Sequence, residues 1–205
     1  MRSERRDARR TAILEAAYAV LRAKGYRGAT MAAVAEAASA SKETLYSWFG
    51  DKQGLFRGLI EANAAQAQAA LTAALAAAPD AVEASLVQFG EALLTLLTGE
   101  RAVAINRIAA AEADRGAAFG MLLAASGRDS VMPRLAGLMA DLELAGVVRL
   151  DDPADAADAY LGLLLGDLPV RRIIGVAPPP RKAAIAARAE RAARLWLRLY
   201  AVTRP

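Results

Sequence analysis

Between Thr30 and Lys52 the chain reads TMAAVAEAASASKETLYSWFGDK, and this stretch restricts the fold more than any other. Two hydroxyl residues stand where helices can begin. Thr30 can cap a short first helix with Val34 and Ala37 turned inward. Ser41 can cap a second by accepting from an orphan backbone N–H one turn on. Only Ala38, Ser39 and Ala40 join the two. On the second helix Leu45 and Phe49 are spaced to share a buried face. Lys42, Glu43, Thr44, Tyr46, Ser47 and Trp48 are left on its flanks and outer side. Hydroxyls, a cation and two amphipathic aromatics suit phosphates and base edges. The layout predicts a helix-turn-helix whose second helix reads DNA.

Residue chemistry then assigns roles within that motif. Lys42 and Lys52 would neutralise phosphates, Lys52 at the positive start of its own helix. Thr30, Tyr46 and Trp48 would position the backbone, and Ser41 joins them as the cap at the helix start. Glu43, Thr44 and Ser47 are nearest the base edges. Glu43 can accept from a cytosine amino group or simply favour the helix N-terminus. Thr44 can read a base or support the cap.

What the chain lacks narrows the rest. It holds no histidine and no cysteine in 205 residues. Disulfides, metal or iron–sulfur sites built on imidazole or thiolate, and Ser-His or Cys-His catalysis are excluded. No glycine-rich phosphate loop follows a plausible strand. The expectation is a non-enzyme with no cofactor and no metal. Charge is uneven: residues 1–60 carry 11 Lys/Arg against 6 Asp/Glu, and the remainder 15 against 16. A basic front on a nearly neutral body fits a polyanion bound by the N-terminal part alone. Glu4, Asp7 and Glu15 interrupt the N-terminal apolar pattern, which argues against a signal peptide. With no long apolar run, neither a membrane span nor a membrane partner is expected, and the location is expected to be cytoplasmic.

From Arg9 to Leu59 the chain resembles the N-terminal DNA-binding domain of the TetR family of bacterial transcriptional regulators. The resemblance rests on AILEAAYAVLRAKGYRGATMAAVA and SKETLYSWFGDKQGLF: an opening helix, a Gly-aromatic turn, and a TLY-x-x-F-x-x-K core. One departure is visible. The family usually has glycine and then a β-branched residue in the turn, where this chain has Ser39 and Ala40. A left-handed residue needed there would put strain on Ser39.

Pattern reading gives an all-α chain of about nine helices, with residues 1–60 as the helix-turn-helix domain and 61–205 as a second helical domain. The first helix spans Glu4 to Lys24, with Ile13, Leu14, Ala17 and Leu21 inward and Gly25 as its left-handed stop. Asp51 caps a long fourth helix reaching about Ala78, which joins the two domains. Pro79-Asp80 restarts the chain, and further helices follow at about 80–98, 100–113 and 129–145. Glycines at 116, 120 and 127 leave 114–128 without fixed boundaries. Asp152 and Pro153 start a helix bearing Ala157, Leu161, Leu164 and Leu168, with a kink or restart at Pro169. The last helix, about 181–201, carries Ile185, Ala189, Ala192, Trp196 and Leu199 in a stripe.

RIAAAEA (107–113), DPADAADAYLGLLLGDL and RRIIG resemble the AefR-like type of TetR C-terminal domain. That resemblance implies a small-molecule effector site and a homodimer formed through the last two long helices. The expected regulator is a repressor released from a palindromic DNA operator by a small lipophilic effector. Phe89, Leu93, Ile105, Ile108, Phe119 and Leu122 are candidate apolar effector contacts, with Asn106 and Glu112 as polar anchors. Leu161, Gly162, Leu165, Gly166, Ile185, Trp196 and Tyr200 are candidate dimer contacts, the glycines offering a small face and the aromatics apolar area. The alternative is a helical protein-interaction module that binds no operator.

Overall fold

A computed structural model describes residues 2–76 and 82–202. Among them are eleven α-helices and one short 3-10 turn, with no strand. The helices are α1 (Arg2–Gly28), α2 (Met31–Ala37), α3 (Lys42–Phe49), α4 (Lys52–Ala76), α5 (Val82–Thr98) and α6 (Glu100–Ala111). The 3-10 turn Ala113–Arg115 follows, and then α7 (Ala118–Ser126), α8 (Arg128–Leu144), α9 (Pro153–Leu165), α10 (Leu168–Ile173) and α11 (Lys182–Tyr200). Two helices exceed the expected nine. α7 forms in the glycine-punctuated stretch, and α10 is the restart at Pro169. The expected restart at Pro79-Asp80 and the approach of the fourth helix to Ala78 lie outside the described residues.

The chain forms two compact units, Met1–Asn63 with Ala104–Leu122, and Ala64–Val103 with Leu123–Pro205. In the first, α1 turns Ile13, Leu14, Ala17 and Leu21 into the core. Gly25, at φ 67°, breaks the helical path before a last turn reaches Gly28. Met31, Val34 and Ala35 are buried on α2. Ala37, expected inward, is exposed because the short helix presents the preceding turn to the core. Leu55, Phe56, Leu59 and Ile60 of α4 close the core, and Ile105, Ile108 and Ala109 of α6 are buried in the same unit.

In the second unit α5, α9 and α11 pack around Leu86, Phe89, Tyr160, Leu164, Ala189 and Trp196. The polar ends of buried Tyr160 and Trp196 are matched, as a low-dielectric core requires. Tyr160 Oη donates to the Leu86 carbonyl at 2.6 Å, and Trp196 Nε1 to the Ala156 carbonyl at 2.8 Å. Gly90 lets Tyr160 lie against α5, since a Cβ there would meet the phenol oxygen at 2.6 Å. α9 stops at Leu165, where Gly166 at φ 48° turns the chain. Leu168, expected on the face of that helix, instead begins α10. Arg188 reaches back from α11 to donate to the carbonyls of Leu164 and Leu165, capping the end of α9. Arg172 of α10 is buried and donates to the Thr98 and Ala177 carbonyls and to the Glu100 carboxylate.

Among the described residues no helix is long and apolar enough to cross a membrane.

Candidate nucleic-acid interface

Side-chain caps build the motif as the spacing requires. The Thr30 hydroxyl accepts from the Ala33 N–H at 3.1 Å, and Ser41 Oγ from the Thr44 N–H at 3.1 Å. Between the two helices the chain turns through Ser39 at φ 48°, the one non-glycine residue with positive φ among those described. Arg9 of α1 donates to the Ser39 carbonyl at 2.6 Å. This contact ties the strained turn to the opening helix. Leu45 and Phe49 are buried, at 0% and 9% exposure, which orients the rest of α3.

The outer side of α3 is then defined. Lys42, Glu43, Tyr46 and Ser47 are exposed, whereas Thr44 and Trp48 are half-buried. Thr44 Oγ1 lies 3.0 Å from Ser41 Oγ, so its hydroxyl already serves the cap. The Glu43 carboxyl is held below the ordinary carboxylate range, first by its own backbone N–H, then by the Ser41 side chain and the charge of Lys42. Both the cap and the charge at the helix start therefore draw on Glu43. Tyr46, 52% exposed, is the large aromatic open to a ligand.

Sequence reasoning passed over the arginines of α1. The Arg6 guanidinium stands 5.8 Å from the Trp48 ring and Arg10 5.6 Å from the Phe49 ring. Each stacks a cation on an aromatic of α3. The signal available was the spacing of Arg5, Arg6, Arg9 and Arg10, which places cations on successive turns of one helix. Lys52 is half-buried, with Nζ 3.3 Å from the Arg27 carbonyl and 4.2 Å from the centre of the Tyr26 ring. Asp51 Oδ1 accepts from the Gly54 N–H at 2.7 Å and caps α4 as its position predicted.

The candidate effector contacts divide between the units. Phe89 and Leu93 are packed in the core of the second, Phe89 with its ring 6.3 Å from that of Tyr160. Ile105, Asn106, Ile108, Glu112, Phe119 and Leu122 belong to the first. There Phe119 forms an edge-on cluster with Tyr26 and Phe56, at centroid distances of 5.5 and 4.5 Å. Glu112, at 9% exposure, is a buried carboxylate, not the solvated helix charge its type suggests.

The candidate dimer contacts also need correction. Trp196 is fully buried within one protomer and Leu161 nearly so, because both fill the core under α5 and α8. Neither presents area to a partner. Gly162 and Gly166 are exposed, and Leu165, Ile185 and Tyr200 are half-buried. Leu199, placed on the inward stripe by spacing, is 65% exposed.

Comparison with known proteins adds the family. Residues 13–59 match the family described as bacterial regulatory proteins, tetR family, and residues 84–202 match the AefR-like transcriptional repressor, C-terminal domain. No curated protein matches the chain. A structure described as a TetR-family transcriptional regulator from Mesorhizobium loti MAFF303099 is 27% identical, with a TM-score of 0.86 over 98% of this chain and 100% of that one. A TetR transcriptional regulator from Agrobacterium tumefaciens is 32% identical, with a TM-score of 0.76 over 95% of each chain. The flavonoid-responsive regulator FrrA is 28% identical, with a TM-score of 0.73 over 97% of this chain and 100% of that one. A capped helix-turn-helix with a polar-aromatic outer face is thus followed by the helical C-terminal domain with which that motif is paired. The chain belongs to the TetR family of bacterial transcriptional regulators.

Proposed function

We propose that the protein is a homodimeric repressor that binds a near-palindromic operator and releases it when a small lipophilic effector binds. The observation that carries the reading is the exposed face of α3. It is set outward by buried Leu45 and Phe49, and the turn before it is tied to α1 by the Arg9 contact. On it Lys42 meets phosphate, Ser47 and Glu43 stand nearest base edges, and Tyr46 and Trp48 pack along the sugar-phosphate chain. Thr30 and Ser41, at helix starts, also suit phosphate oxygens. Lys52 is the second phosphate ligand.

The repressor reading draws on the description of the C-terminal match. A lipophilic effector is supported by the apolar candidates Ile105, Ile108, Phe119 and Leu122, and by the similarity to a regulator named for its response to flavonoids. Dimerisation through α9 and α11 is supported by open space at Gly162 and by exposed Leu199.

Selection of bound DNA from a random duplex pool tests the reading. It should return two related half-sites about 10–10.5 base pairs apart, or a multiple of that. Ser47→Ala should change the base preference, whereas Lys42→Ala should weaken all duplexes alike and flatten the salt dependence by about one charge. A pool that yields no enriched sequence and no retarded complex at low salt defeats the operator.

A further inference from the structure

Lys52 begins α4 directly after the reading helix, where a cation can meet a phosphate. Its ammonium is already engaged elsewhere, between the Arg27 carbonyl and the Tyr26 ring. Tyr26 is itself held edge-on, with ring centres 5.5 Å from those of both Phe56 and Phe119. Phe119 starts α7, and Glu112 lies buried where α6 ends. Both come from the returning segment Ala104–Leu122 of this same unit. The field of Glu112 acts on Lys52 and Tyr26 together. It favours the Lys52 cation, whose pKa burial lowers, and it adds to burial in raising that of the Tyr26 phenol.

We propose that Tyr26 and Glu112 form a holding site for the Lys52 ammonium, from which a DNA phosphate must draw it. An ammonium drawn onto an external phosphate gives up part of its contact with the Tyr26 ring and the Arg27 carbonyl. The gain from the phosphate contact is therefore net of what the Tyr26 ring and the Glu112 carboxylate already give the ammonium. Lys42 is exposed, and its carboxylate neighbour Glu43 is exposed with it. The segment carrying Glu112 and Phe119 thus sets how much Lys52 contributes to DNA affinity. Tyr26 and Glu112 are positioning residues that act through Lys52.

The inference rests on DNA binding as proposed above, and a double-mutant cycle with the full-length protein and a random-sequence duplex separates the two. Glu112→Gln keeps shape and removes charge; Lys52→Met keeps the apolar stem on Tyr26. Lys52→Met should weaken binding by about threefold in the parent and about tenfold in the Glu112→Gln background. Lys42→Met should cost the same in both, and Glu36→Gln, an exposed carboxylate in the same unit, should leave the Lys52 effect unchanged. Equal costs of Lys52→Met in the two backgrounds would overturn the holding site while leaving DNA binding intact. No binding by the parent at low salt would overturn both.

A second measurement follows the ammonium itself. With only four lysines, reductive ¹³C-methylation gives few signals, and that of Lys52 should be shifted by the Tyr26 ring. Saturating duplex should move it toward the position of an exposed lysine. A Lys52 signal that stays shifted in the complex refutes the proposal.

Discussion

The backbone at Ser39 lies at φ 48°, in the left-handed region that glycine adopts freely and most L-residues avoid. Glycine would relieve that strain and give back part of the gain as unfolded-state entropy. Ser39→Gly should therefore stabilise the protein by about 0.5–1 kcal/mol. The Arg9 contact uses a backbone carbonyl and survives the change. Urea denaturation checks it, and an unchanged or lower midpoint contradicts the strain. This one residue was legible through the resemblance, which puts glycine in the family's turn where this chain has Ser39 and Ala40. Tyr160 gives the second residue-scale prediction. Burial pushes its phenol pKa well above the ordinary 10.0, so the folded state holds the proton more tightly than the unfolded chain. The resulting stability is complete below the unfolded value and drains away as pH rises beyond it. Melting temperature should fall steeply above about pH 10 in the parent and less steeply in Tyr160→Phe. That variant should also start about 1 kcal/mol lower for losing the bond to the Leu86 carbonyl. Parallel pH profiles for the two proteins would exclude Tyr160 as the source.

Helices were legible where caps and periodicity agreed. Thr30, Ser41, Asp51 and Asp152 all cap the helices expected of them, and the stripe of α1 is buried as spaced. Local signals failed where the outcome depends on distant partners. Nothing near Gly166 announces that Arg188, far along the chain, caps α9 there. Trp196 reads equally well as core or interface until Ala156 offers its carbonyl. In the reading site, the α3 face followed from a spacing of four residues. The α1 arginines and the engagement of Lys52 did not, because both depend on tertiary neighbours. Gly90 belongs to this element scale, since it sets how closely α5 meets α9 and α11. A Cβ there would sit 2.6 Å from Tyr160 Oη, 3.0 Å from Leu164 Cδ1 and 3.2 Å from Ala189 Cβ. Helix propensity favours alanine by about 1 kcal/mol, but three packed neighbours cannot all retreat. Overpacking should prevail, so that Gly90→Ala destabilises by about 1–3 kcal/mol in thermal or urea unfolding. A stabilised variant would mean that the three helices separate freely.

For the whole molecule, the proposed dimer determines what an effector can do. Gly162 faces open space on α9, so a bulky residue there should leave the monomer fold intact and weaken self-association. Light scattering of Gly162→Trp should show a shift toward 21.5 kDa at concentrations where the parent remains dimeric. A parent protein that is itself monomeric at micromolar concentration removes the dimer altogether. If the dimer stands, each α3 must enter its own major groove, and half-sites one helical turn apart are separated by about 34–36 Å. A change of a few ångströms in the separation of the two reading helices therefore prevents simultaneous docking without unfolding either domain. An effector can impose this only by binding one dimer state more tightly than the other, typically by about 1–3 kcal/mol. Linkage then fixes a relation that no repression assay alone reveals. Operator DNA must weaken effector binding by the same factor by which effector weakens operator binding. Calorimetric titration of a confirmed effector into free dimer and into dimer–operator complex measures both sides. Matching factors of about 5–150 are expected. Identical effector affinity in the two titrations would show that the ligand and the operator do not communicate.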